Sequence, residues 1–151
     1  MLLAPEQRQL ARTVAQEAIV LLKNDGNLLP LGPTRHTLAV IGPLADDHVA
    51  ALGPWAGRGD PRDAVSPLEG IKARAGTGME VRFAKGCGIN DSATAGFAEA
   101  VALARQADVA LLVLGEAGDM SGEAASRSSL GLPGAPSLRS PVPTLSPSVT
   151  F

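Results

Sequence analysis

The sequence predicts an α/β domain built on a parallel sheet, an incomplete α/β sandwich followed by a tail that does not fold. Three observations carry this expectation. Two short unbroken apolar runs, Leu38-Ala39-Val40-Ile41 and Val109-Ala110-Leu111-Leu112-Val113-Leu114, have the look of strands covered on both faces. A third, alternating strand pattern and two helical patterns lie between them, and the order strand, helix, strand, helix, strand implies right-handed crossovers and parallel pairing. From Ala135 onward four prolines fall among serines and leucines, and no helical or strand period survives.

Each element has its own local reason. Pro5 suits a first helical turn, and Leu10, Val14, Ala18, Leu21 and Leu22 recur at helical spacing until Asn24-Asp25-Gly26, which predicts a helix over residues 5 to 23. Gly42-Pro43 ends the first strand. Residues 44 to 65 are rich in Gly, Pro, Asp and Ala and contain the single tryptophan, Trp55, so they read as a long surface loop. Ser66-Pro67-Leu68-Glu69 is a capping box with proline at the first helical position, opening a short helix to about Ala75. Val81 and Phe83 alternate with Glu80 and Arg82 in a half-buried strand that stops at Lys85-Gly86. A helix is expected from Thr94 to Ala107, capped by Ser92 or Thr94, with Phe97, Ala100, Val101 and Ala104 inward. Val109 to Leu114 reads as the most buried strand.

Bulk properties exclude several function classes. A chain of 151 residues, 45 % hydrophobic and 19 % charged, is of a size and composition to bury a core. Its net charge of −2, with 13 scattered Lys and Arg, offers no grip on nucleic acid. The longest apolar runs fall far short of the roughly 20 residues of a membrane span, so neither nucleic acid nor a bilayer is an expected partner. One cysteine, Cys87, precludes an intramolecular disulfide and a Cys-cluster metal site. His36 and His48 lack ligand spacing, so no metal is expected. Nor does Gly86-Cys87-Gly88 complete a dinucleotide fingerprint, and no cofactor is implied.

In open α/β sheets ligands gather outside the carboxyl ends of the strands, which singles out residues 42 to 55, 86 to 91 and 115 to 127. The third segment places Glu116, Asp119 and Glu123 within eight residues directly after a buried strand. Such a group is either a solvated acidic loop or the source of a general acid. Trp55 is either a packing anchor or a platform for a ligand ring. Asp46, just after the first strand, suits hydrogen bonding to a ligand's hydroxyls or a turn role.

Several stretches together resemble the family 3 glycoside hydrolases. Ala18 to Asn24 with Leu28-Leu29-Pro30-Leu31 is similar to the segment that leads from that family's catalytic barrel into its second domain. Ala39 to Ala45 resembles the first strand and turn of that domain, and Leu52-Gly53-Pro54-Trp55 a loop whose Trp flanks the sugar site. Val113 to Glu116, Ser121-Gly122-Glu123-Ala124-Ala125-Ser126-Arg127 and Leu132-Pro133-Gly134 close the match, which runs over residues 8 to 134.

The resemblance implies a retaining β-glucosidase-like hydrolase acting on a β-glucoside or oligosaccharide, with an Asp nucleophile on a (β/α)8 barrel and the acid/base on a loop of the second domain. Glu123 is the position that matches the acid/base, with Glu116 next, and Trp55, Asp46 and Arg127 as substrate contacts. No barrel sequence is present, so a family 3 barrel is the implied partner and the chain alone is expected to be inactive. A non-catalytic α/β module that binds carbohydrate or a partner is the alternative. Residues 1–30 show no signal-peptide layout, while the resemblance implies a periplasmic or secreted parent enzyme. The expected organisation is a helix and linker over 1–36, a partial family 3 C-terminal domain over 37–134, and a tail over 135–151 that departs from the family, as a change of reading frame would cause. Sequencing the locus checks this: an intact frame continuing past residue 151 without family-like residues removes the frame-change explanation.

Overall fold

The computed structural model describes residues 3–32 and 34–134, so the tail over 135–151 lies outside the described residues. The chain divides into two compact units, Met1–Gly32 and Pro33–Phe151.

In the first unit α1 spans Pro5–Ala18, with proline at its start and no side-chain cap. It is shorter than the periodicity predicts. The chain turns extended at Ile19, because the β-branched pair Ile19-Val20 disfavours another turn and α1 buries no residue that would supply tertiary support. Ile19 to Leu22 are therefore exposed, Leu22 to 92 %. The Asn24 side chain closes the following loop: its Oδ1 accepts from the Leu29 amide at 3.0 Å and its Nδ2 donates to the Leu29 carbonyl at 2.8 Å.

The second unit is a three-stranded parallel sheet in the order β2-β1-β3, formed by β1 (Thr37–Ile41), β2 (Glu80–Ala84) and β3 (Val109–Leu112). α2 (Pro67–Ala75) connects β1 to β2, and α3 (Phe97–Gln106) connects β2 to β3. Leu38 is opposite Val81 on one side and Val109 on the other, so alternate residues of all three strands share a face. Ala39, Ile41, Ala84, Ala110 and Leu112 make one such face and pack with Ala100, Leu103 and Ala104 of α3 and with Ala107 just past its end.

That stripe has helical i, i+3, i+4, i+7 spacing, and alanines on both sides of the contact let helix and sheet approach closely. The predicted inward set was partly different. Val101 lies 42 % exposed, outside the stripe that meets the alanine-rich sheet. α3 starts at Phe97 with Gly96 as cap and no side-chain capping bond; Thr94 contributes its backbone carbonyl, 2.9 Å from the Phe97 amide, rather than its hydroxyl.

β1, not β3, is the most buried strand, because it alone among the described strands is paired on both sides. Ala39 and Val40 are fully covered, whereas Leu111 of β3 is 39 % exposed. β3 also ends two residues early, although the Val113 amide still donates to the Ile41 carbonyl at 2.7 Å. Phe83 is likewise more exposed than its alternation predicts, since β2 is the other edge and the buried residue there is Ala84.

The capping box forms as predicted. The Glu69 amide donates to Ser66 Oγ at 3.1 Å and the Ser66 amide to Glu69 Oε2 at 3.0 Å, an arrangement whose loss costs about 1 kcal/mol. The Leu68 amide also donates to the Ala45 carbonyl at 2.8 Å, fastening α2 to the turn after β1. The long loop of residues 44 to 65 contains two short 3-10 turns, Ala50–Leu52 and Pro61–Asp63. Asp47 Oδ1 accepts from the Val49 and Ala50 amides to start the first, and Asp60 caps the second.

At the amino ends of the strands, Asp108 ties β3 to β1. Its Oδ2 accepts from the His36 amide, the Thr37 amide and the Thr37 hydroxyl, and its own amide donates back to Thr37 Oγ1 at 2.8 Å. These donors, the His36 amide foremost, hold the Asp108 carboxyl below the usual carboxylate range. The fold thus favours the charged form, and its contribution is complete above about pH 4 and is lost as pH falls through the lowered folded value. Asp108→Asn is expected to lower the melting temperature at pH 7 and to converge with the parent chain over the acid range in which the folded carboxylate finally takes up its proton. Melting curves across that range check this; a constant gap at all pH values removes the carboxylate from the account.

Candidate functional site

The strand order places the site. The chain passes from β1 to β2 on one side and then crosses to β3 on the other, so the direction of winding reverses between β1 and β3. Loops that leave the carboxyl ends of two such strands diverge and leave a crevice between them. Gly42 makes the divergence possible. Its φ is +137°, its amide donates to the Ala84 carbonyl at 3.1 Å, and a Cβ there would fall 2.1 Å from the Val113 carbonyl oxygen.

The crevice is an open cleft of about 420 Å³ between the Pro54-Trp55 corner of the first loop and residues 118–125 of the loop after β3. Trp55 presents its ring with 72 % of its surface exposed. Asp119, Ser121 and Glu123 line the facing wall. Close approach of the two loops depends on glycine: a Cβ on Gly118 would lie 3.2 Å from the Gly53 carbonyl carbon, and one on Gly122 3.3 Å from Pro54 Cβ.

Glu123 occupies the first central position of a tight two-residue turn. The Gly122 amide donates to the Ala125 carbonyl at 2.8 Å and the two residues pair as an isolated antiparallel bridge. The turn holds the Glu123 backbone while its side chain, exposed at the tip, makes no hydrogen bond or ion pair with the described residues.

The other candidate residues sit differently. Glu116 and Arg127 pair with each other, Nη1 to Oε1 at 2.6 Å, and neither lines the cleft. Ser121 Oγ donates to Glu116 Oε2 at 3.1 Å, and Arg127 Nη2 donates to the Gly131 carbonyl at 2.7 Å. Asp46 accepts from Ser66 Oγ at 3.0 Å and so braces the start of α2. Of the five candidate positions, the fold brings Trp55 and Glu123 together.

The Glu116–Arg127 link and the Asp46–Ser66 bond went unpredicted, because pairs joined across irregular loops have no periodic signature. The second predicted loop, residues 86 to 91, lines no part of the cleft. Instead it receives the chain after the site: Pro133 is buried, and a Cβ on Gly134 would lie 2.6 Å from the Asp91 carbonyl oxygen. Burial, followed by the charge of Asp91 and opposed by Lys85, pushes the Cys87 thiol up, which suits a packing side chain rather than a nucleophile. Among the described residues, no three His, Cys, Asp or Glu side chains gather as a metal site, and no helix is long and apolar enough to cross a membrane.

A parallel α/β unit with a cleft at its winding reversal, walled by one aromatic ring and two carboxylates, has the architecture of the open-sheet α/β domains. Residues 19–139 match the glycosyl hydrolase family 3 C-terminal domain, and the chain belongs to that family. It is 38 % identical over 136 residues to a β-xylosidase of Formosa agariphila, a match covering 85 % of this chain and 18 % of the relative. It is also 38 % identical over 146 residues to a periplasmic β-glucosidase of Salmonella typhimurium, covering 83 % and 19 % respectively. Among solved structures, a β-glucosidase from Listeria innocua in complex with glucose superposes with a TM-score of 0.79 at 29 % identity, over 89 % of this chain and 18 % of that one. The chain therefore spans under a fifth of the length of these relatives.

The glycine contacts generate a test of the cleft. Gly118→Val is expected to push the loop after β3 away from Gly53 and shift the emission of Trp55, the only tryptophan in a chain without tyrosine. Fluorescence spectra of the two proteins check it; identical emission with an unchanged melting temperature removes the close approach.

Proposed function

We propose that the chain is the α/β part of a retaining family 3 β-glycosidase, delivering Glu123 as acid/base and Trp55 as a platform for the sugar ring. The observation that supports this most is the placement of Glu123 at the tip of a tight turn, across the switch-point cleft from an exposed tryptophan. A carboxyl group at a loop tip is suited to reach a glycosidic oxygen held by another domain.

Retaining hydrolysis needs two carboxyl groups about 5–5.5 Å apart across the scissile bond. In this proposal Glu123, protonated, gives its proton to the glycosidic oxygen as an Asp on the barrel attacks the anomeric carbon. The C–O bond breaks, the aglycone leaves as an alcohol, and a glycosyl ester remains on the Asp. Glu123, now a carboxylate, takes a proton from a water that attacks the same carbon, which releases the sugar and restores both groups. Trp55 offers an apolar face to the C–H side of a sugar ring. The names of the relatives favour a β-glucoside or β-xyloside as substrate. The glycone pocket would belong chiefly to the barrel, so this chain alone would not hydrolyse.

A carbohydrate-binding role without catalysis is the second reading, supported by the exposed Trp55 beside acceptor groups. One experiment separates the two. Joined to a family 3 barrel, the chain is expected to hydrolyse aryl β-glucosides or β-xylosides, and Glu123→Gln to lower turnover by roughly 10²- to 10⁴-fold. Azide, an anion that needs no base to attack, is expected to restore turnover of an aryl glycoside with an activated leaving group. Full activity in the variant overturns the acid/base assignment, and sugar-dependent Trp55 emission without any hydrolysis supports the binding module.

A further inference from the structure

The loop after β3 must hold Glu123 at one place in space, yet between Leu112 and Gly134 it contains no helix and no named strand. Besides the local Ala117–Met120 turn and the seat of Pro133 and Gly134 beside residues 89–91, its order has three sources. The first is the Gly122–Ala125 bridge, which shapes four residues and fixes nothing beyond them. The second is contact of Gly118 and Gly122 with Gly53 and Pro54, which limits approach on one side only. The third is the group formed around Arg127.

That group joins four points of the loop through one carboxylate and one guanidinium. Glu116 lies at the start, four residues after β3 ends. Its Oε1 takes Arg127 Nη1 at 2.6 Å, and its Oε2 takes the Ser121 hydroxyl at 3.1 Å. Arg127 spends its other terminal nitrogen on the Gly131 carbonyl at 2.7 Å. The Arg127 side chain is 19 % exposed and Glu116 36 %, so solvent reaches the pair chiefly from the carboxylate side and the geometry, more than the Coulomb attraction, carries the link. Ser121 lies two residues before Glu123, and Arg127 lies four residues after it. The Glu116–Arg127 pair therefore closes a ring of chain with the acid/base candidate inside it and ties both ends of the ring toward β3.

We infer that Glu116 and Arg127 are positioning residues: their ion pair, with Ser121 and Gly131 as further anchors, is a clamp that sets where the Glu123 turn stands over the cleft. A guanidinium suits this task because its planar fork donates to the carboxylate and the carbonyl at once, which the single ammonium of lysine does less well. The clamp itself rests on the geometry of this chain. Its catalytic consequence rests on the proposed acid/base role of Glu123.

The test begins with the full chain. In Arg127→Met, amide hydrogen exchange over residues 117–131, including the bonded Gly122 amide, is expected to quicken about tenfold, the signature of a local opening, while the amides of β1 keep their protection. Arg127→Lys, which keeps the charge and loses the fork, is expected to fall between the two and serves if the methionine variant fails to fold. The reversed pair Glu116→Arg with Arg127→Glu is expected to recover at least part of the loop protection lost in Arg127→Met. Unchanged exchange in the loop, or a loss of protection spread evenly over β1 and the loop, overturns the clamp.

Joined to a family 3 barrel, Arg127→Met is expected to lower kcat about tenfold or more with little change in KM, since displacing a reacting group by about 1 Å has effects of that order and larger. A rise in KM with kcat unchanged would instead make Arg127 a substrate contact and overturn the positioning role. If the loop loosens as described but Glu123→Gln leaves hydrolysis intact, the acid/base assignment falls and the clamp stands. If Glu123→Gln abolishes hydrolysis while Arg127→Met changes neither exchange nor kcat, the clamp falls and the acid/base assignment stands.

Discussion

At the end of β1 the chain has to leave the sheet between two parallel neighbours, with the Ala84 carbonyl accepting the Gly42 amide and the Val113 carbonyl lying where a Cβ would be. An L side chain meets two obstacles there, a φ of +137° and a collision with backbone that is itself held in the sheet. Glycine removes both, and the path it permits decides much else. The first loop leaves the carboxyl end of the central strand beside the chain that leaves β3, and the cleft is the space between the two loops. Were the chain to depart elsewhere, Trp55 and Glu123 would have no common volume.

Much of this arrangement was legible in the sequence, for reasons that differ by element. β1 was visible because a strand covered on both faces is apolar at successive positions, and Leu38 to Ile41 are. α2 was visible because a capping box is a local device whose partners lie three residues apart. β3 was over-read: its six apolar residues suggest full burial, but the degree of burial depends on neighbours rather than on composition. α1 was over-read for a related reason. Apolar spacing continues to Leu22, yet spacing alone does not hold a helix without a surface to pack on, and the backbone turns extended at Ile19.

At the site, the strand-end rule and the family resemblance selected Trp55 and Glu123, and the fold brings them to one cleft. What the sequence did not disclose is how the neighbouring polar residues are occupied. Asp46 supports Ser66, and Glu116 meets Arg127, eleven positions away through irregular chain. Such partners are decided by the path of a loop, which neither helical nor strand periodicity encodes. Within the loop after β3, Glu116 finds donors in Ser121 and Arg127 and gives the loop shape, while Asp119 and Glu123, both lining the cleft, have no hydrogen bond or ion pair among the described residues.

The exposed run Ile19 to Leu22 has a consequence for the life of the polypeptide in a cell. Four consecutive branched apolar side chains in an extended stretch, Leu22 almost wholly in water, form the kind of surface that holdase chaperones bind and proteases find accessible. The time the chain spends uncovered then matters as much as its folding free energy, because capture or cleavage competes with burial of that stretch. Abundance would be set by a race between covering and disposal, even with a well-formed sheet a few residues downstream.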